Sequence, residues 1–383
     1  MAKNKLPIAF THSADFDGGC CAALLKKKFG AGAIEIHPIN YGDKELRSDT
    51  AFLDAFDVKG RDVYVCDFSF KPSLFKKIID LSNKTVWLDH HVSAIRDIVD
   101  SSWWQRMIKG VLENGEELKL LGIQSDRDDL PYSGAYLTWA WLFNEAEPGF
   151  VVDYNKNPET GKYERAMVVE PILPEDYAAA TPVSEAWNKC PKFIKNISAY
   201  DTFRFDFVPK EEADIQQFGM KAIGLDGMGF NVDGMWEALL VDTDNDENAT
   251  YELIAKKQQL QEMIESDGRA IIAYNVLYQY PKIMQAAYPI KLEVGGKKYR
   301  GLALNANGFN SDIFMSAYDP EKTDFFIDYY FKNGKWQYSV YVPEDKKQKV
   351  SAVDIVRSFD ETGGGHVGAA GGSSEKLLKE LTA

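Results

Sequence analysis

The sequence predicts an α/β protein in which an N-terminal domain on a parallel sheet is joined by a helical linker to a smaller α/β C-terminal domain. Three observations carry that prediction. Residues 6–91 alternate β-rich runs with helix-patterned segments, residues 251–275 read as one long helix, and the pattern beyond them changes to longer strands with a hairpin signal. Strand–helix alternation at this spacing argues for parallel strands with crossover helices.

In chain order, LPIAFTH (6–12) is a short β-rich run, and CCAALLKKKFG (20–30) is an amphipathic helix stopped by Gly30. IEIHPINY (34–41) is a second strand and DVYVCDF (62–68) a third, ending at Asp67. SLFKKIIDLS (73–82) has helical spacing, and TVWLDHH (85–91) is again strand-like. SGAYLTWAWLFNEA (133–146) reads as a helix whose aromatic and Leu positions are core. Residues 146–185, rich in Pro, Glu and Tyr with little periodicity, read as an insertion or surface excursion. FIKNISAYDTFRF (193–205) resumes an ordered pattern, and the acidic LLVDTDNDENAT (239–250) marks a boundary ending in a helix cap. The domains are therefore expected at 1–246 and 276–383, with 247–275 as the helical linker. In the second, KYRGLALNA and DFFIDYYFKNGKWQYSVYV are strand-like and AVDIVRSF is a helix. Asn-Gly in FKNGKW suits a tight hairpin because both residues of that turn need positive φ.

Composition narrows the function. A chain of 383 residues holds two or three domains, and 45% hydrophobic with 27% charged residues fits a globular protein. No apolar run approaches the roughly 18 residues of a membrane span, and the apolar stretch of MAKNKLPIAFTH is too short for a signal peptide. Cys20, Cys21, Cys66 and Cys190 lack metal or disulfide-framework spacing, and Cys20 and Cys21 are expected to pack as small apolar residues. On these features the protein is expected in the cytoplasm. The net charge of -14 disfavours long nucleic acid, whose binding needs a broad basic surface. Small phosphorylated ligands remain open to it through a local cationic site or bound metals.

The chain has only five histidines, and two are adjacent, in WLDHHV (87–92). In THSADFDGG, His12, Asp15 and Asp17 follow a strand and precede a helix. Imidazole and carboxylate are ligands for Mn, Fe or Zn, yet the same residues also suit a plain strand-to-helix turn with an N-cap. Asp67 ends the third strand, where a first polar loop residue is equally ordinary. Asp89, His90 and His91 follow a buried strand, and a satisfied core histidine accounts for one of them better than for both. His12, Asp67 and Asp89 all fall at strand carboxyl ends, where parallel sheets gather ligands. TGGGHVGAAGG (362–372) surrounds His366 with glycines whose amides can meet phosphate oxygens, or which are merely flexible. Only His37 stands outside such a loop.

Together these segments resemble the DHH phosphoesterase superfamily. THSADFDG, VYVCDFS, LDHH and AYDTFRF are similar to its first four motifs in order, and TGGGHVGAAGG is similar to the GGGH signature of the DHH-associated C-terminal domain. AYDTFRF draws the resemblance toward small oligonucleotide phosphodiesterases of the nanoRNase and oligoribonuclease type, the NrnB-like branch. The resemblance implies an N-terminal parallel-sheet DHH domain, with the active site in the cleft before the C-terminal domain. It implies two divalent ions, usually Mn2+, with Mg2+ or Co2+ as substitutes. His12, Asp15 and Asp67 would hold one ion, and Asp17, Asp67, His90 and Asp201 the other, with Asp67 bridging. Asp89 would support the histidine ligands, His91 would face the scissile phosphate, and Gly364, Gly365 and His366 would bind substrate. Here two residues separate His12 from Asp15, whereas the family spacing is one or three. Arg204 and Arg357 are further candidates for phosphate, each also suited to an ion pair. Trp103 and Trp104 could stack a base, but paired tryptophans on an apparent helix more often serve core or interdomain packing.

The implied activity is hydrolysis of short RNA or DNA to mononucleotides. Alternatives are linear or cyclic dinucleotides, 3'-phosphoadenosine 5'-phosphate, a RecJ-like single-strand exonuclease, or a non-catalytic nucleotide-binding protein. The expected partner is a short oligonucleotide or dinucleotide, with no membrane and no long duplex DNA. A homodimer is compatible with this reading.

Overall fold

The computed structural model describes residues 5–114, 119–122, 124–125, 130–143, 149–150, 154–156, 163–165, 171–172, 182–225, 233–242, 249–307 and 311–378. Two compact units emerge: Met1–His90 with Ala94–Ala270, and His91–Ser93 with Ile271–Ala383.

The first unit opens with β1 (Ile8–His12), α1 (Phe16–Phe29), β2 (Glu35–Ile39), α2 (Asp49–Ala55), β3 (Asp62–Cys66), α3 (Pro72–Leu81) and β4 (Lys84–Leu88). α4 (Val92–Val99), α5 (Ser102–Asn114), β5 (Leu120–Leu121) and α6 (Gly134–Phe143) follow. The five strands lie in the order β2-β1-β3-β4-β5, and every neighbouring pair is parallel. Side chains alternate between two buried faces, which is why these strands read as continuous apolar runs. Phe10, Val63, Val65 and Trp87 pack on one face with Phe52, Phe75 and Ile78. Ala9, Tyr64, Cys66 and Leu88 pack on the other with Cys20, Cys21, Leu24 and Ala135. Trp103 and Trp104 are buried in the first of these cores, so their role is packing. His37 sits on the edge strand, its Nε2 2.6 Å from Glu35 Oε1.

Within 146–185 the chain forms two short antiparallel pairs. β6 (Gly149–Phe150) meets β9 (Pro171–Ile172), and β7 (Tyr154–Lys156) meets β8 (Tyr163–Arg165). The other residues between them lie outside the described ones. α7 (Pro182–Lys189), α8 (Lys192–Asp201), α9 (Lys210–Ala222), α10 (Asp233–Leu239) and α11 (Tyr251–Tyr274) complete the helical part. Thr250 caps α11, its Oγ1 accepting from Leu253 N at 3.2 Å. α11 buries Leu260, Ile264 and Gly268, one stripe at i, i+4 spacing. The stripe lies close against α9 because both helices place glycine at the contact. A Cβ on Gly219 would sit 2.6 Å from Ile264 C, and one on Gly268 2.9 Å from Ile215 C. The division between the units falls after Ala270, inside α11.

The second unit continues through a π-helical turn (Asn275–Gln279), α12 (Tyr280–Met284), β10 (Tyr288–Val294), β11 (Lys297–Asn305) and α13 (Asp312–Met315). β12 (Phe325–Lys332), β13 (Lys335–Tyr341), α14 (Ala352–Arg357), β14 (Gly364–Gly365) and β15 (Ala369–Ser374) complete it. Its sheet runs β10-β11-β12-β13-β15-β14, and only β11 and β12 pair in parallel. The hairpin between β12 and β13 turns at Asn333 (φ 54°) and Gly334 (φ 82°), the two positive values the Asn-Gly signal calls for. Asp328 is buried in the middle of β12, and burial pushes its carboxyl up to about 7 against the opposing hydrogen bond with Ser339. No described helix is long and apolar enough to cross a membrane.

Candidate metal centre

The centre forms where β1, β3 and β4 end and the helices begin. His12 closes β1, and Asp15 N-caps α1, its Oδ1 accepting from Gly18 N at 3.0 Å. The other oxygen of Asp15 lies 3.0 Å from His12 Nδ1. The cap and the candidate ligand are thus one carboxylate using its two oxygens separately. The unusual two-residue spacing still brings His12 and Asp15 together, because the turn folds tightly over Gly18. A Cβ there would stand 2.7 Å from His12 C.

Asp17 lies in the first turn of α1 and is 1% exposed. Its Oδ1 accepts from Ser133 Oγ and, at 3.0 Å, from Ala135 N at the start of α6. Its Oδ2 is 3.8 Å from His90 Nε2. Asp67 follows β3 with φ 55°, a left-handed backbone that costs a non-glycine residue about 1–3 kcal/mol and is found at sites where placement matters. Its Oδ2 is 3.8 Å from His12 Nδ1, and its Oδ1 is 3.2 Å from His90 Nε2. Asp201, at the end of α8, brings Oδ2 to 3.2 Å from the same His90 nitrogen. Among the described residues, two donor sets lie wholly within the first unit, His12 with Asp15 and Asp67, and Asp17 with His90 and Asp201, each with its ligand atoms within 4.8 Å of one another. Asp67 faces both, one oxygen to each.

Burial and mutual repulsion dominate the electrostatics of these carboxylates. Burial first, then the charge on Asp15, raises Asp17 to about 6 despite the Ser133 and Ala135 hydrogen bonds. Burial, then Asp17, Asp15 and Asp201, push Asp67 well above the usual carboxylate range. Buried charges are ordinarily paired or bound to metal. Carboxylates and imidazoles that converge in this way have the donor chemistry of a divalent-ion site, so the residues fit the implied group.

Asp89 stands one step behind. It accepts from Ser69 Oγ and, at 2.8 Å, from the backbone N–H of His90, while Trp87 Nε1 donates to Ser69 Oγ at 3.0 Å. It therefore holds the turn that aims His90. Arg204 is ion-paired with Asp206 at 2.6 Å. In the second unit the rings of His91 and His366 stack with centroids 5.4 Å apart. Gly365 N donates to Ser93 Oγ at 3.2 Å, and Arg357 Nε donates to Gly363 O at 3.1 Å. Arg357 thus fastens the glycine loop, with Gly364 and Gly365 forming β14.

Sequence reasoning passed over Ser69, Ser133, Gly134 and Tyr41. A Cβ on Gly134 would lie 2.8 Å from Asp67 Cα and 2.9 Å from Asp17 Oδ2. Tyr41 stacks on Phe68 beside His12. Burial of its hydroxyl, then the Asp89 carboxylate, raises its pKa well above the usual phenol value, opposed by a hydrogen bond with the Ser69 backbone. Ser133, directly before α6 and three positions before its first aromatic, Tyr136, was the one available signal, a polar residue at a helix N-terminus.

No family model matches the chain, and no curated protein matches it. Several solved structures are similar to it. A pGpG-specific phosphodiesterase from Vibrio cholerae is 12% identical, over 98% of this chain and 95% of that one, with a TM-score of 0.39. An exopolyphosphatase-related protein from Bacteroides fragilis is 10% identical over 99% and 89%, with a TM-score of 0.37. RecJ from Thermus thermophilus in complex with Mg2+ is 14% identical over 98% and 47%, with a TM-score of 0.35. Likeness at these TM-scores lends no weight to a function, which has to come from the site.

Proposed function

We propose that the protein is a phosphodiesterase dependent on two divalent ions, Mn2+ in the first place, that hydrolyses short oligonucleotides to mononucleotides. The observation that carries this reading is Asp67, whose two oxygens divide between two donor sets. When bound, two ions neutralise the developing charge on the attacking and leaving oxygens of a phosphodiester.

The chain's own residues supply the rest. His12, Asp15 and Asp67 would hold one ion, and Asp17, Asp67, His90 and Asp201 the other. Ser133 and the Ala135 amide orient Asp17, and the Trp87–Ser69–Asp89 hydrogen-bond series orients His90. His91 donates a proton or hydrogen bond to a phosphate oxygen, and His366 with Gly364 and Gly365 receives the substrate's terminal phosphate or nucleotide. The net charge of -14 favours short substrates, since only the local site attracts phosphate.

Hydrolysis of a dinucleotide and a graded length series with Mn2+ tests this, comparing the wild type with Asp67→Ala and His91→Ala. The dinucleotide is expected to be cleaved fastest per mole, with both variants severely impaired. Faster cleavage of long strands, or variants equal to the wild type, refutes the proposal. A panel including cyclic dinucleotides and 3'-phosphoadenosine 5'-phosphate separates the neighbouring substrates.

A further inference from the structure

Tyr41 is a large aromatic residue on the loop after β2, in a unit that buries most others of its kind. Phe10, Phe52, Phe68, Phe70 and Phe75 are all nearly inaccessible, whereas Tyr41 is 51% exposed. Its ring lies on Phe68, with centroids 4.4 Å apart and planes 23° from parallel. Phe68 is 1% exposed and directly follows Asp67 in the chain. One face of Tyr41 is therefore covered by a rigid buried ring, and its exposed area belongs to the opposite face and edge. The ring centroid of His12 is 5.8 Å away.

We propose that the open face of Tyr41, backed by Phe68, is a stacking platform for the nucleobase of the nucleotide whose phosphate the metal centre engages. This rests on the functional reading above and adds the subsite that makes a nucleotide, rather than any phosphodiester, the preferred substrate. A phosphate next to His12 carries its base one sugar away, within reach of an adjacent ring. Every base has a π-face, so the platform accepts all four and discriminates chiefly against the absence of a base.

The test uses the full chain with Mn2+ and two substrates, a dinucleotide and its analogue with both bases replaced by hydrogen. The wild type is expected to prefer the dinucleotide by roughly 5- to 150-fold in kcat/KM, the range that one stacked base supplies. In Tyr41→Ala that preference falls toward one, carried by KM. Tyr41→Leu, which keeps an apolar cover on Phe68 without a ring, is expected to lose it equally, and Tyr41→Trp to keep it. A second readout needs no turnover: a 2-aminopurine mononucleotide should be quenched on binding to the wild type and not to Tyr41→Leu. Discrimination and quenching unchanged in both ring-less variants would overturn the inference while leaving the phosphodiesterase reading intact. Equal loss on both substrates, with preference preserved, would mark Tyr41 as structural and overturn it too. A wild type that cleaves neither substrate defeats both readings at once.

Discussion

Gly134→Ala is the sharpest single test of how the centre is built. The added methyl would stand 2.8 Å from Asp67 Cα and 2.9 Å from Asp17 Oδ2, closest of all to Asp67 Cβ. Carbon atoms rest about 3.5–4.0 Å apart, so α6 and the end of β3 must separate by roughly 1 Å. Neither neighbour is the flexible tip of a long side chain. One is backbone already held at φ 55°, and the other is a carboxylate fixed by Ser133 and Ala135 at the start of the same helix. Overpacking of this kind costs about 1–3 kcal/mol of stability. A misplacement near 1 Å costs on the order of 100-fold in rate where ligand geometry governs chemistry. Mn2+ titration calorimetry and dinucleotide hydrolysis measure the two effects, with urea unfolding to report stability. Gly371→Ala is the control, since its methyl meets only Tyr338 O at 3.8 Å. If Gly134→Ala binds Mn2+ and turns over like the wild type, the packing of α6 on Asp67 does not set the centre, and the reasoning fails.

Other outcomes follow from the same structure. Ser69→Ala removes the hydroxyl that positions Asp89 and should weaken Mn2+ binding about 10–100-fold by calorimetry, with His90 still present. Mn2+ at a hundred times its Kd should raise unfolding stability by about 2.7 kcal/mol, and chelation should remove that gain; a melting profile indifferent to chelator contradicts the site. Asp328 holds its proton in the folded state up to about 7 but only to 3.8 when unfolded. The folded state therefore binds more protons across that window, so stability falls as pH rises from 3.8 to about 7 and is level above, by at most about 4 kcal/mol. Asp328→Asn should flatten that slope in urea titrations at pH 5 and 8. Gly268→Ala should destabilise the first unit by about 1–3 kcal/mol through its clash with Ile215, without altering Mn2+ affinity.

The strand and helix order of the first unit was legible because period-two burial on both faces leaves continuous apolar runs, bounded by Gly30, Asp67 and the Asp-His-His triplet. The Asn-Gly hairpin was equally legible, since few residues tolerate the φ values it requires. Asp15, Asp17, Asp67 and His90 could be nominated from residue type and position at strand and helix ends, and Asp201 only through the resemblance of AYDTFRF to a family motif. Their grouping into two sets came only with the family resemblance; residue type and position leave it open, because it depends on which way each carboxylate oxygen points. Trp103 and Trp104, read as packing residues more readily than as base-stacking ones, lie inside the core of the first unit. Ser69, Ser133 and Gly134 are ordinary residues whose importance comes from partners 20, 116 and 67 positions away. Tyr41 is one tyrosine among 19, distinguished only by the ring beneath it. Local periodicity and chemical type determine the elements and the inventory of donors. The tertiary structure decides which donors share an ion and which faces stay open, because distance, burial and repulsion between carboxylates exist only once the chain has folded.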